Sequence, residues 1–411
     1  MVTEKFANKP FIKCDEKQFR TKAREYNAFL LYVRFYNVKP KYYNHYIQVS
    51  KCINMKNPIY DNGRVVSCDV CDMWLTDIDF DIITTSYKCD AIILETYKAH
   101  KDYLDKRIIK FILDLYGNKT KLKISAQTDE QIAEIYKTSK SQINSCYGMS
   151  VSNCLKQSSD FKNGLWTREE LTPEFIKRKL DESKKSWSTL MYYASGCWIT
   201  AYARKNIFMR LLETSENGRS MDIDSIYVDT DSLKYVNEHD DIFERYNNSL
   251  IDKYKEVIKK YPEFTLEDFM PRDEAGVERP IGFFEPDGSY MEFVSTGAKK
   301  YAYRSSDGLH ITISGVNKKT GVKALKDDIN NFLNNDLVFT YEESQRLIHY
   351  YINDQPEFTF IDIDGNEFTS NLKYGVVLQP TTYTMGVTDS YIQLLKMYEV
   401  ERAIKNGKQK T

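Results

Sequence analysis

Residues 225–235 read SIYVDTDSLKY, and two carboxylates stand at the centre of this stretch. Ile226, Tyr227 and Val228 precede them, and Leu233, Lys234 and Tyr235 follow, so two β-forming runs flank Asp229-Thr230-Asp231-Ser232. Thr230 and Ser232 are small enough for a tight hairpin tip. Positions i and i+2 of a strand face one side, so Asp229 and Asp231 point off the same face unless the turn splays them. Carboxylates that close repel each other, and one stays protonated at neutral pH unless a cation lies between them. A hard, oxygen-binding ion such as Mg²⁺ satisfies that demand. Asp also caps turns, so the pair alone leaves a metal site and a capped turn both open.

Composition narrows the field. At 411 residues the chain is long enough for two or three lobes, and a hydrophobic share of 42% supplies their cores. The formal net charge of -1 excludes a global positive field, so any nucleic-acid surface is local. The start, MVTEKFANKPF, has no apolar signal-peptide core, and no run of 18 apolar residues occurs. A reduced, cytoplasmic setting with no membrane partner is therefore expected. The eight cysteines, at 14, 52, 68, 71, 89, 146, 154 and 197, fit it as ordinary thiols. Cys68 and Cys71 form a CxxC, half of a zinc pattern whose second half does not follow at ligand spacing. The 31 tyrosines suit base stacking and amphipathic core edges equally, so their number decides nothing.

Along the chain, residues 26–86 read as strands: FLLYVRFYNV, HYIQVSKCI, a turn at Asn62-Gly63, then WLTDIDFDII. In the last of these Asp77, Asp79 and Asp81 alternate as the polar face of a strand. From about 90 to 148 the period becomes helical, with two helices around the basic turn that holds Lys121 and Lys123. Residues 150–187 are polar and weakly periodic, like an insertion or loop, and the apolar segment after them predicts a buried helix. The part from about 310 has its own helices and short strands. The pattern is α+β with antiparallel strands and a projecting helical pair.

The second of the paired helices carries its own signal. Thr128 and Gln131 stand as a capping box at its start, and Gly148 suits a left-handed cap at its end. Lys137, Lys140, Asn144 and Tyr147 fall at i, i+3, i+7 and i+10, on one face, with Ile132, Ile135, Ile143 and Cys146 on the adjoining one. One stripe packs and the other is presented. A stripe of Lys, Asn and Tyr suits a nucleoside triphosphate; a solvated helix face is the plainer reading.

The string YVDTDS resembles motif C of the family B DNA polymerases, and KSQINSCYG at 140–148 is similar to the K-x-x-x-N-S-x-Y-G of their motif B. GAKKYAY at 297–303 resembles their Lys-x-Tyr element, with Lys299 and Tyr301 alternating on a strand. The resemblance implies a right-hand architecture: antiparallel palm sheet, helical-hairpin fingers and small thumb. It implies metal-binding, catalytic Asp229 and Asp231, nucleotide contacts from Lys137, Lys140, Asn144 and Tyr147, and DNA contacts from Tyr227, Thr230, Lys299 and Tyr301. The expected parts are palm with a first insertion over 1–88, fingers over 89–149, a second insertion over 150–187, palm over 188–304 and thumb over 305–411.

Those two insertions are most similar to the protein-primed phage polymerases. They imply primer-template DNA, deoxynucleoside triphosphates and a terminal-protein primer as partners, with two Mg²⁺ ions as cofactor. The family's motif A, D-x-x-S-x-Y-P, does not occur, and Met1 matches the tail of that motif. The expectation is therefore a carboxyl-terminal portion without the exonuclease domain, with the remaining metal ligands on an upstream polymerase chain and the isolated chain inactive. A non-catalytic DNA-binding remnant is the alternative. A DxD glycosyltransferase predicts a Rossmann-like start that is not found.

Overall fold

Residues 1–42, 44–61, 63–151, 155, 159–162, 165–168, 170–185, 193–215, 224–297, 299–316, 318–333, 337–340, 347–351, 358–361, 367–370, 374–377 and 382–384 are described by a computed structural model. The chain divides into two units, Met1–Pro286 and Asp287–Thr411.

The first unit opens with strands β1 (Phe6–Ala7) and β2 (Ile12–Lys13) and a single helical turn, α1 (Glu16–Phe19). Strands β3 (Asn27–Pro40), β4 (Ile53–Lys56), β5 (Ile59–Asp61) and β6 (Arg64–Thr76), helix α2 (Asp77–Ser86) and strand β7 (Tyr87–Asp102) follow. The strands pair antiparallel in the order β1-β7-β3-β6-β4, with β2 on β7 and β5 on β6. Phe29, Leu31, Val33 and Phe35 alternate along β3 onto its buried face, as the strand period requires. Of HYIQVSKCI, only the end enters a strand, β4.

Two expectations fail in this sheet. The helical period begins at Lys106 rather than near 90, because 87–102 is strand. Tyr87, Cys89, Ala91 and Ile93 lie inward of Lys88, Asp90, Ile92 and Leu94, a period of two that pairs along most of β3. Asp77, Asp79 and Asp81 lie on helix α2, not on a strand. Thr76 caps that helix: its hydroxyl accepts from Asp79 N at 3.1 Å and donates to Asp79 Oδ2 at 2.8 Å. The Thr-x-x-Asp signature was present in the sequence and outweighs the alternation.

Helices α3 (Lys106–Lys121) and α4 (Glu130–Ser150) pack as the expected hairpin. The 150–187 stretch holds a hairpin of β8 (Ser159–Lys162) and β9 (Leu165–Arg168) and the helix α5 (Pro173–Lys185), so it is more than a loop. Helix α6 (Tyr193–Glu213), strands β10 (Ser225–Asp229) and β11 (Ser232–Tyr235), and helices α7 (Asp240–Lys260) and α8 (Leu266–Phe269) complete the unit. All described strand pairs are antiparallel, unlike the parallel sheet of a Rossmann-like start.

The second unit holds an antiparallel sheet of β12 (Glu292–Gly297), β13 (Lys300–Ser305) and β14 (Gly308–Ile313), then α9 (Lys318–Ala324). Ala302, Leu309, Ile311, Ile313, Leu325, Ile329 and Phe332 form its own core. Beyond it the backbone pairs Val338–Thr340 with Thr382–Thr384, Leu347–Tyr351 with Tyr374–Val377, and Phe358–Ile361 with Glu367–Ser370, one pair nested inside another. Among the described residues no helix is long and apolar enough to cross a membrane.

One ion pair on the first sheet makes a pH prediction. Arg34 Nε and Nη2 each donate to Asp72 at 2.7 Å, and Asn54 Nδ2 adds a third bond at 2.9 Å. The Arg34 bonds hold the Asp72 carboxyl down at about 2, against an ordinary 3.8. Its stabilising contribution is thus complete above about pH 4 and is lost as pH falls towards 2. Asp72→Asn is expected to lower the melting temperature at neutral pH and to flatten its fall across that acid window. Equal acid slopes in thermal melts of both proteins would remove Asp72 from the account.

Candidate nucleotide and metal site

Helix α6 is the platform of the site. Trp198, Ala201, Phe208, Leu211 and Leu212 bury its inner face, and the helix packs against α2, α4, α7, β10 and β11. Its seat is fixed by polar contacts that sequence periodicity did not reveal. Arg204 forks onto Asp79 at 2.8 and 3.0 Å, and its Nε donates to Tyr46 Oη at 2.8 Å, while the Tyr46 hydroxyl also donates to Asp79. Trp198 Nε1 donates to Asp77 Oδ1 at 3.0 Å, and burial pushes that carboxyl up. These aspartates are structural tethers between α2 and α6.

The end of α4 lies close on the same helix. A Cβ on Gly196 would come within 2.5 Å of Val151 Cγ1 and 2.6 Å of Ser150 Oγ, so only glycine permits the approach. Helix α4 itself starts at Asp129, whose side chain accepts from Gln131 N at 2.8 Å and Ile132 N at 3.1 Å, not at Thr128. Asp outcompetes its neighbour here because it also places a negative charge at the helix's positive end. The helix runs through Gly148 to Ser150. Cys146 is buried as expected, but Ile135, towards the outer end of that stripe, is exposed.

The polar stripe is presented. Lys137, Lys140, Ser141, Asn144, Ser145 and Gly148 line an open concavity of about 500 Å³. Tyr147 is half-buried beside it, its carbonyl accepting from Ser150 Oγ at 2.6 Å. Glu134 pairs with Lys137 at 2.7 Å. A further cation was missed in the sequence: Lys119 of α3 lies 5.4 Å from the Tyr116 ring and 5.8 Å from the Tyr136 ring. Burial first, and then the charges of Lys140 and Lys123, hold its amine below the ordinary range. The 119, 121, 123 lysine spacing at the hairpin turn was the available signal. Glu274 braces that turn, accepting from Ile124 N at 2.7 Å and Ser125 N at 3.0 Å.

The acidic stretch forms the expected hairpin. Strands β10 and β11 pair antiparallel with Asp229 opposite Ser232, leaving Thr230 and Asp231 at the tip. The turn is closed by a bond from Asp231 N to Asp229 O, and Thr230 takes φ 46°, a strained value for a β-branched residue. Asp229 thus ends a strand while Asp231 stands in the turn, so the turn separates them from simple alternation. Thr230 Oγ1 donates to Asp229 Oδ1 at 3.0 Å. Tyr227 is only 8% exposed, so it belongs to the packing beneath the tip. At the hairpin base Asp224 accepts from Asn237 Nδ2 at 2.9 Å and meets His239 Nε2 at 2.6 Å.

Asp229 and Asp231 offer carboxylate oxygens, the donor type that a hard cation such as magnesium takes. Among the described residues no third His, Cys, Asp or Glu joins them. Lys299 and Tyr301 belong to the second unit, and they do not alternate on a strand: Lys299 occupies the β12–β13 turn with φ 55°, and Tyr301 lies on β13, stacked on Phe293 at 5.4 Å.

The mixed helix-and-sheet fold with antiparallel sheets is DNA polymerase-like. Solved structures of phi29 DNA polymerase are similar to it. The phi29 complex with primer-template DNA gives a TM-score of 0.52 at 15% identity over 93% of this chain. The ternary complex with primer-template DNA and incoming nucleotide substrates gives 0.50 at 16% over 93%, and the complex with single-stranded DNA 0.51 at 14% over 94%. This chain spans 53 to 55% of those chains, about half their length. At such identities the likeness shows the fold alone. No protein-family model and no curated protein matches the chain.

Proposed function

We propose that this chain is the nucleotide-loading and metal-binding part of a DNA-directed DNA polymerase of the protein-primed family B type, with α3 and α4 as fingers, α6 to β11 as palm and the second unit as thumb. The observation that carries the reading is the concavity on α4: its lining gathers Lys137, Lys140 and Asn144, and α4 and the acidic hairpin pack on one helix. In this reading Lys140 and Lys119 neutralise triphosphate charge, Asn144 donates to phosphate or sugar, and Tyr147 lies against the sugar or base. Asp229 and Asp231 hold magnesium, which when bound lowers the pKa of a primer hydroxyl and steadies the leaving pyrophosphate. Thr230, exposed at the tip, and Lys299 and Tyr301 meet the DNA backbone and fix its register. A terminal-protein primer and an upstream polymerase chain remain the expected partners.

The lack of a third carboxylate beside the pair among the described residues favours a second reading, a DNA-binding remnant without catalysis. Equilibrium titration of a fluorescent deoxynucleoside triphosphate separates the two. The polymerase reading expects binding that magnesium tightens and that Lys140→Ala weakens about tenfold, or 1.4 kcal/mol. Nucleotide binding indifferent to both changes, alongside salt-sensitive duplex binding, would leave only the remnant.

A further inference from the structure

Helix α6 carries a second stripe beside its buried one. Cys197, Thr200 and Arg204 recur at i, i+3 and i+7, one helical face, and none of them is fully buried. Together with Phe11, Met73 and Trp74 they line a cavity of about 490 Å³, within the roughly 300 to 1,000 Å³ of small-molecule sites. It shares no lining residue with the concavity on α4. Its walls are flat and apolar. Phe11 and Trp198 stack there with ring centroids 5.4 Å apart, and Trp198 Nε1 already donates to Asp77, so the indole offers the cavity its apolar surface.

The polar groups decide the sign of the occupant. Asp79 is the one carboxylate among the described lining residues, and its oxygens are taken: Oδ1 by Arg204 and Tyr46, Oδ2 by Arg204 and Thr76. A cationic ligand therefore meets no free acceptor of opposite charge. Donors are left over instead. Among the described residues neither Arg204 Nη1 nor Lys51 Nζ has a hydrogen-bond partner, although both side chains line the cavity. Lys51 and Arg204 against Asp79 leave an excess of one positive charge beside aromatic walls.

We propose that this cavity is a binding site for a small flat aromatic molecule carrying one anionic group. The rings of Phe11, Trp74 and Trp198 take its body, and Lys51 with the open edge of Arg204 takes its charge.

The test uses anilinonaphthalene sulfonate, an aromatic anion, with N-phenylnaphthylamine as its uncharged counterpart. On the full chain the sulfonate's fluorescence should saturate at one dye per chain. The uncharged dye should bind about tenfold more weakly, and Lys51→Ala should remove most of that difference. Thr200→Trp fills the cavity and should abolish binding. The unsubstituted chain gives a second reading. Bound sulfonate should shield Cys197 from iodoacetamide at alkaline pH, which ionises a thiol that burial holds above its ordinary range. Cys14 and Cys89, also partly exposed but outside the described lining, should react as before. Equal affinity for the two dyes, or Cys197 alkylation that the sulfonate does not slow, overturns the proposal.

Discussion

Asp231→Asn is expected to cut magnesium-dependent nucleotide incorporation by about a thousandfold or more, the scale of several kcal/mol of charge stabilisation. The substitution keeps size and hydrogen bonding at an exposed turn position and removes only the charge, so folding should hold. Binding to primer-template, which draws on phosphate contacts elsewhere, should change less than about twofold. Asp229→Asn removes the same charge but also alters the acceptor for Thr230 Oγ1, so it should additionally loosen the tip. Primer extension reads the rate, with the chain alone and supplemented by a polypeptide carrying a D-x-x-S-x-Y-P segment; anisotropy of labelled duplex reads binding. Should duplex binding fall together with the rate, the aspartate is structural. Should incorporation survive, the metal assignment is wrong.

The hairpin and the polar stripe were legible because both follow from local period: two β-runs around a short tip, and side chains returning to one helix face. What was misread failed where two local signals competed. Alternating Asp77, Asp79 and Asp81 looked like a strand face, but the Thr76 cap set the segment as helix. The apolar run from 91 looked helical, but β3 offered a partner along its length. The tethers of α6 were illegible for another reason: Arg204 and Asp79 are 125 positions apart, and no period connects them. Gly196 belongs to the same class, since its need appears only when the end of α4 is laid against it.

Two glycines give the sharpest separation of stability from binding. Gly196→Ala must push Val151 and Ser150 away, because the new Cβ would sit at 2.5 and 2.6 Å from their side chains, respectively. Overpacking of that kind costs about 1 to 3 kcal/mol. The displacement reaches Tyr147 through the Ser150 Oγ bond to its carbonyl, so nucleotide affinity should fall as well. Gly148→Ala meets nothing within 4 Å and lies inside α4, so it should raise stability by about 0.5 to 1 kcal/mol. Yet Gly148 lines the concavity, and a methyl group there intrudes on the space a triphosphate would use. The pair should therefore move melting temperature in opposite directions while both weaken nucleotide binding. If Gly148→Ala binds nucleotide as the unsubstituted chain does while Lys140→Ala does not, the ligand sits on the lysine side only, and the glycine end of the stripe serves the helix rather than the site.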